Sequence, residues 1–355
     1  MALLPPFVAR IAHAELVDFC ARCLQAVGMG PADARLTAQV LADTDARGIH
    51  THGTASLRRY VQLMRDGGID PRAEPALTNE GPAWAQMDAG QAVGMVAGQR
   101  AMVRAIAKAR ETGIGLVTVR RSNHFGAASA YAMMALEHGM AALAMSNTDV
   151  VMNLPGGRGP QLGNNPLSYA IPAGKYPPLV LDIAMSTVAG GKVHSAAAQG
   201  KGIPADWLTD AEGRPTSDPA PFGNGGALTP FAAHKGYGLA LLVECFSGAL
   251  AGAAMTLDVL SWAKVSDAPC DEGHAFIALD VAAMMPQEQF EARVDELIER
   301  MHAAPRADGV ERIYVPGEIE WECERESAEH GVPLTQLTVD SLRGLAADVG
   351  IEAPF

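Results

Sequence analysis

The chain reads as an α/β protein: helical regions at both ends, a mixed α/β sheet domain between them, and an inserted domain of mixed and partly antiparallel strands. Three observations predict this. At 355 residues the chain exceeds the roughly 250–300 residues at which one hydrophobic core stops growing, so at least two lobes are expected. Apolar residues make up 48% of it and charged ones 19%, the balance of a folded domain rather than of a disordered chain. The period of the apolar residues also changes along the chain, from helical at the ends to alternating strand and helix between them.

The elements follow in order. AELVDFCARCLQAVGM carries Leu16, Phe19, Cys20, Cys23, Leu24 and Val27 at helical spacing. Both thiols of this CxxC therefore belong to a buried helix face, and no second ligand pair stands at the spacing a zinc site would need. PADARLTAQVLADTDARGI is a second helix, with a proline near its start and Gly48 at its stop. THGTASLRRYVQLMRDGGI is a third, striped by Leu57, Val61 and Met64 and ended by Gly67 and Gly68. Residues 1–75 thus form an N-terminal helical region, completed by helices in 320–355.

AWAQMDA reads as a strand, VAGQRAMVRAIAKARETG as a helix ended by Gly113, and IGLVTVRRS as a buried strand, together a βαβ-like unit. A similar unit recurs in HAFIALDVA, QEQFEARVDELIERMHAA and VERIYVPG. Placing both units in one sheet domain, 76–120 with 251–319, makes 121–250 the inserted domain. It holds a helix in SNHFGAASAYAMMALEHG and strands in MAALAMSN, LSYAIPA and PPLVLDIAMS. The tract from Gly236 to Ala263 is long enough to suggest a membrane span, but Glu244 lies near its middle and glycines interrupt it. A buried, closely packed helix broken near Gly252 is the expectation.

Composition excludes several functions. A formal charge of −13 without any Lys/Arg run argues against nucleic acid, whose phosphates draw on clustered cations. The N-terminal MALLPPFVARIAHAEL lacks the basic start and unbroken apolar run of a signal peptide. Five scattered cysteines fit a reducing compartment. The expectation is a cytoplasmic protein that engages a small molecule, neither nucleic acid nor membrane.

No GxGxxG opens a helix after a strand, and no GxxxxGK[ST] occurs. The chain carries instead a series of polar, glycine-flanked junctions: THG at 51–53, SNHFG at 122–126, MSNT at 145–148, LGNNP at 162–166, LDIAMS at 181–186, HKGYG at 234–238 and VPGE at 315–318. Loops held by a rigid scaffold are where function tends to sit. The order and spacing of these junctions resemble the malate/L-lactate dehydrogenase family of the non-Rossmann type, which includes type-2 malate/lactate, ureidoglycolate, sulfolactate and 2,3-diketogulonate dehydrogenases and cyclic ketimine reductases. The likeness runs over nearly the whole chain, from ADTDARGIHTHG to IYVPGEIEW and the EHGVPL tail.

The resemblance implies a non-Rossmann NAD(P)-dependent oxidoreductase fold whose inserted domain binds NAD or NADP. It implies hydride transfer between that cofactor and a 2-oxo/2-hydroxy or 2-imino/2-amino acid, without a metal, in a homodimer with active sites between subunits. By position, His52 corresponds to the family's proton-donating histidine, preceded by Thr51 where the family has serine. His124 corresponds to the histidine of SNHFG, which other members use as acid/base. Ser146 and Asn147 fall on a nicotinamide-side stretch, Asp182, Ile183 and Ala184 on a dinucleotide stretch, and Lys235, Gly317 and Glu318 on further cofactor contacts. Hydride delivery leaves negative charge on the substrate oxygen, and an imidazolium with a pKa near 6.5 suits its protonation.

The chain departs from the family's pattern twice. An arginine common four residues after the motif histidine, a natural carboxylate clamp, is Ser56 here, and the GTNP motif appears as Gly163-Asn164-Asn165-Pro166. Arg58 is the candidate cation, with Arg59, Arg120 and Arg121 behind it, and Asn165 is a candidate substrate contact. His50-x-His52 leaves two other readings open. With His124 it could form a three-histidine zinc site of a hydrolase, though HxH suits a strand better than a helix cap. Alternatively both histidines only cap helices of a non-catalytic binding module.

Overall fold

The computed structural model describes residues 7–355. Its centre is a seven-stranded sheet in the order Ala76–Glu80, Trp84–Asp88, Ile114–Ser122, Glu272–Asp280, Met140–Ser146, Leu167–Ile171, Leu179–Ile183. Trp84–Asp88 and Ile114–Ser122 run parallel, joined by the helix Gly94–Thr112, as the change of period between them requires. Every other pairing in the sheet is antiparallel.

The helix lies on the sheet at very short range. A Cβ on Gly115 would come within 2.0 Å of the Ala105 carbonyl oxygen, so only glycine permits this approach. Buried Met102, Ile106, Val117, Val119 and Phe276 fill the interface.

The sheet does not stop at residue 121 or 250. Strands Met140–Ser146, Leu167–Ile171 and Leu179–Ile183, which sequence assigns to an inserted domain, extend the central sheet beyond Glu272–Asp280. Only a five-stranded sheet of very short strands, Pro215–Thr216, Leu208–Thr209, Ala227–Leu228, Val150–Met152 and Leu162–Gly163, stands apart from it. The reason is register: Glu272–Asp280 pairs along its whole length with Ile114–Ser122 on one side and Met140–Ser146 on the other. The expected strand in VERIYVPG is a loop, touching the sheet edge through Val180 N–H donating to Pro316 O at 3.1 Å.

At one end, the helices His13–Gln25, Pro31–Ala46 and Leu57–Asp66 share a core with the C-terminal helix Gln336–Val349, built on Phe19, Leu41, Tyr60 and Leu342. Cys20 and Cys23 are buried in this core as free thiols. A two-stranded ribbon, Phe7–Ile11 against Val332–Thr335, ties the two ends of the chain, a pairing that such short segments do not announce in sequence.

The apolar tract forms the helix His234–Val243, which continues as a π-helical turn, Glu244–Ala249. It ends near Gly252 at φ +72°. Its composition predicts burial all round, and the structure differs: Leu239, Leu241, Leu242 and Leu250 are 38–48% exposed, because one face of the helix is left uncovered among the described residues. Glu244 is buried because it accepts from Asn165 Nδ2 at 2.7 Å and from the Thr256 N–H at 2.8 Å. Among the described residues no helix is long and apolar enough to cross a membrane.

The Gly115 contact yields a test. Gly115→Ala should destabilise the protein by roughly 3 kcal/mol, because backbone cannot yield as a side-chain end can. Chemical denaturation should show a lower midpoint at unchanged slope.

Candidate active site

The site is assembled from loops at the edge where the helical region meets the central sheet. The first is the THG loop. The helix Pro31–Ala46 ends at Gly48, φ +81°, and the chain turns beneath the buried carboxylate of Asp45. That carboxylate accepts from the Thr54 N–H at 2.8 Å and the Thr54 hydroxyl at 2.6 Å, and meets His50 Nδ1 at 3.0 Å. A Cβ on Gly53 would lie 2.2 Å from its oxygen, which explains the glycine of the motif. His50 is thereby tied to Asp45 and does not line the cavity, whereas His52 does. The two imidazoles of the HxH pair thus face different surroundings, His50 turned to Asp45 and His52 to the cavity.

The second loop, SNHFG, leaves the strand Ile114–Ser122 through Arg121 at φ +53°. Asn123 staples it: its amide donates to Gln91 O at 3.2 Å and Ala92 O at 3.0 Å, and its oxygen accepts from Cys270 N–H at 3.3 Å. His124 then sits within a stack of rings. Its centroid is 4.2 Å from Trp262 at 12° and 5.7 Å from His52 at 22°. Arg59 holds the Trp262 loop by donating to Trp262 O at 2.6 Å and Val265 O at 2.8 Å.

Electrostatics separate the two histidines. Burial, then the charges of His52 and His274, push His124 well below its ordinary pKa of 6.5, so it is neutral. Burial raises the pKa of the Tyr60 phenol, which stays protonated and meets His124 Nδ1 at 2.5 Å. With the phenol as donor, the remaining nitrogen, Nε2, carries the proton of the neutral ring. His52 is lowered by burial, but Asp182 opposes this. Asp182 is in turn raised by burial and held down by the Ser129 N–H, donating at 2.7 Å, and by the charges of His52 and Arg47. Asp182 thus acts on His52 through its charge. The Thr51 hydroxyl contacts His52 Nδ1 at 2.8 Å.

These groups border a cavity of about 810 Å³. Thr51, His52, His124, Ser146, Asp182, Ala184 and Gly317 line it. Ile183, Asn147, Lys235 and Glu318 do not: Lys235 is exposed, Asn147 binds Glu244, Ala254 O and the Gly273 N–H, and Glu318 holds Arg312 and the Val315 N–H.

Two expected substrate contacts, Asn165 and Arg58, do not line this cavity. Asn165 is wholly buried, its amide spent on Ala240 O and Glu244 and its oxygen on the Thr148 N–H. Asn164 is the residue that lines the cavity. Arg58 pairs with Asp348 on the outer face, while Arg120 and Arg121 pair with Asp88. Among the described residues, the sole Lys or Arg lining the cavity is Arg47. It is 5% exposed, lies 4.1 Å over the Trp321 ring and donates from Nη1 to Glu324. Its Nε and Nη2 have no partner among the described residues. Sequence reading passes over it although it opens the RGIHTHG stretch. Glu272 and Trp262 are missed as well, and nothing in their spacing marks them.

The cavity fits a dinucleotide. It lies in the size range of cofactor clefts, its walls include Gly190, Gly191 and Gly317, and Arg47 brings unpaired donors to it, as an anion requires.

The chain is similar to several known proteins. Residues 11–343 match the family model described as malate/L-lactate dehydrogenase. The chain is 34% identical over 350 residues to the malate dehydrogenase of Pyrococcus horikoshii, covering 97% of this chain and 96% of that one. The solved structure of that protein superposes with a TM-score of 0.90 at 32% identity, covering 99% and 100% of the two chains. The L-sulfolactate dehydrogenase of Methanocaldococcus jannaschii is 34% identical over 92% of this chain and 94% of its own. A Delta(1)-pyrroline-2-carboxylate/Delta(1)-piperideine-2-carboxylate reductase of Pseudomonas putida is 31% identical over 95% and 97%.

Two expectations follow from the geometry. Asp45→Ala should strand three buried donors and cost about 3 kcal/mol or more, read as a lower thermal midpoint. Asp182→Asn removes the charge that raises His52, so the pKa of that ring, which burial lowers, should move further down, read by NMR titration of its imidazole signal.

Proposed function

The chain belongs to the malate/L-lactate dehydrogenase family, and from that premise we propose that His52 and His124 divide the work of reducing a small 2-oxo acid to its 2-hydroxy acid. The enzyme is a 2-hydroxy acid dehydrogenase using NAD or NADP, which supplies the hydride when bound. The observation that carries the division of labour is the contrast between two neighbouring imidazoles, one held well below its ordinary pKa and backed by a phenol, the other under the charge of a carboxylate.

His52 delivers the proton to the nascent alkoxide, and the charge of Asp182 favours the imidazolium that holds that proton beforehand. Neutral His124 points its Nε2–H at the same oxygen and orients it, a role that needs no change of charge. Arg47, in place of the arginine absent at Ser56, holds an anionic group of substrate or cofactor with Nε and Nη2. Burial excludes water from the rings and strengthens each of these interactions.

Reduction requires protonated His52, so kcat/KM should fall as pH rises through a pKa below 6.5. In the oxidative direction it should rise through the same pKa. Reduction of a cyclic 2-imino acid on the same groups is a second reading, supported by the likeness to the Pseudomonas putida reductase.

We also assign the exposed leucines of the His234–Val243 helix and the turn beyond it to the interface of a homodimer, since a monomer gains nothing by wetting them. The five free cysteines support a cytoplasmic setting.

His52→Ala should lose roughly 10²–10⁴ in kcat with cofactor affinity almost unchanged. His124→Ala should raise KM and retain the acidic pKa. Steady-state kinetics in which the His124 variant instead abolishes both turnover and that pKa would transfer the proton to His124. Light scattering at micromolar concentration should give twice the chain mass.

A further inference from the structure

The mechanism leaves one group in the cavity unused. Glu272 opens the strand Glu272–Asp280 opposite Ser122, is wholly buried, and lines the cavity. Neither of its oxygens meets a donor among the described residues, and a buried carboxyl without partners is costly. Asp149 lines the same cavity, and its charge acts on Glu272. Burial raises both carboxyls, Glu272 well above the usual range.

Among the described residues the surroundings offer Glu272 no compensating cation. The Tyr60 phenol and Cys270 thiol, which face Glu272, are pushed up by burial and uncharged. Arg59 is spent on two carbonyl oxygens, and Lys264 acts on Asp149. The cavity as a whole is lined by Asp149, Asp182, Glu272 and Glu320 against one Arg47.

We propose that Glu272, with Asp149 beside it, is a specificity-determining residue that selects 2-oxo acids whose side chain carries a positively charged nitrogen over those whose side chain ends in a second anion. This rests on the dehydrogenase reading and names the substrate class of that same site. A cation entering beside Glu272 draws off the carboxyl proton and forms an ion pair in a medium of low dielectric. A second carboxylate or sulfonate meets a like charge or an acid that must stay protonated, and like charges at close range cost several kcal/mol. Relatives named for malate and sulfolactate act on such dianions, so the inference separates this chain from them.

The test compares kcat/KM for 5-guanidino-2-oxopentanoate and oxaloacetate, in the wild type and in Glu272→Gln and Asp149→Asn. The wild type should favour the guanidino acid by about tenfold or more, and Glu272→Gln should move the ratio toward oxaloacetate by at least about tenfold. Asp149→Asn should move it in the same direction. Reduced-cofactor affinity should stay within about threefold in both variants.

Calorimetry supplies a readout independent of turnover. Binding of 3-aminopropionate should exceed that of malonate and, in buffers of different ionisation enthalpy, release a proton from the wild type but not from Glu272→Gln. A wild-type preference for oxaloacetate, an equal loss with both substrates, or a loss of cofactor affinity in Glu272→Gln would overturn the proposal. If neither 2-oxo acid is reduced while the calorimetric preference and its loss in the variant persist, the dehydrogenase reading falls and the selectivity stands. Turnover of both acids without any preference overturns the selectivity and leaves the dehydrogenase reading standing.

Discussion

The site depends on one buried carboxylate. Asp45 lies at the end of a helix, where it cannot reach water, and it is satisfied only by the turn that follows: the Thr54 backbone and hydroxyl, and the His50 ring. A buried acceptor must find donors, so the loop has little freedom to be elsewhere. Gly53 is required because the same oxygen occupies the place of a Cβ. His52 is presented to the cavity as a consequence, without any contact of its own backbone to Asp45. Asn123 does the equivalent work for His124 from the sheet side. Two loops distant in sequence are thus each fixed by one internal polar side chain, and their imidazoles meet because those anchors belong to packed elements.

Burial then sets the chemistry. The same loss of water that lowers His124 also raises Tyr60 and Asp182, but the outcomes differ with the neighbour. Beside a phenol an imidazole gains no opposing charge, whereas the charge of a carboxylate favours its protonated form. Two histidines of one type acquire distinct roles from what stands behind them, not from their distance to the cavity. Among the described residues, four acids stand against a single arginine at the cavity wall, so Arg47 is its one fixed positive charge.

Much of this is legible in sequence, and the rest is hidden for physical reasons. The parallel βαβ unit is local, so the alternation of period between Trp84 and Ser122 reveals it. The continuation of the sheet through Met140–Ser146 depends on pairing with a strand more than a hundred residues away, which no local pattern records. Motif order locates His52 and His124, but it assigns Asn165 and Arg58 by type and not by environment. An asparagine at φ +35° beside a buried glutamate serves that glutamate, and an arginine on the outer face of a helix serves its nearest acid. Arg47 and Glu272 are identified only by what they fail to contact, a property that sequence does not carry.

The ring stack has a further consequence. Trp262 lies flat against the imidazole of His124 and stacks with the ring of Tyr60, whose centroid is 5.6 Å away, so its indole emits from inside the site. A protonated imidazole quenches an indole in contact with it and a neutral one does so weakly, and a dinucleotide in the cavity would add its own quenching. The protein therefore carries an internal fluorophore whose brightness reports the charge of the neighbouring ring and the occupancy of the cavity. The difference spectrum between this chain and Trp262→Phe isolates that signal from the other three tryptophans, without any label.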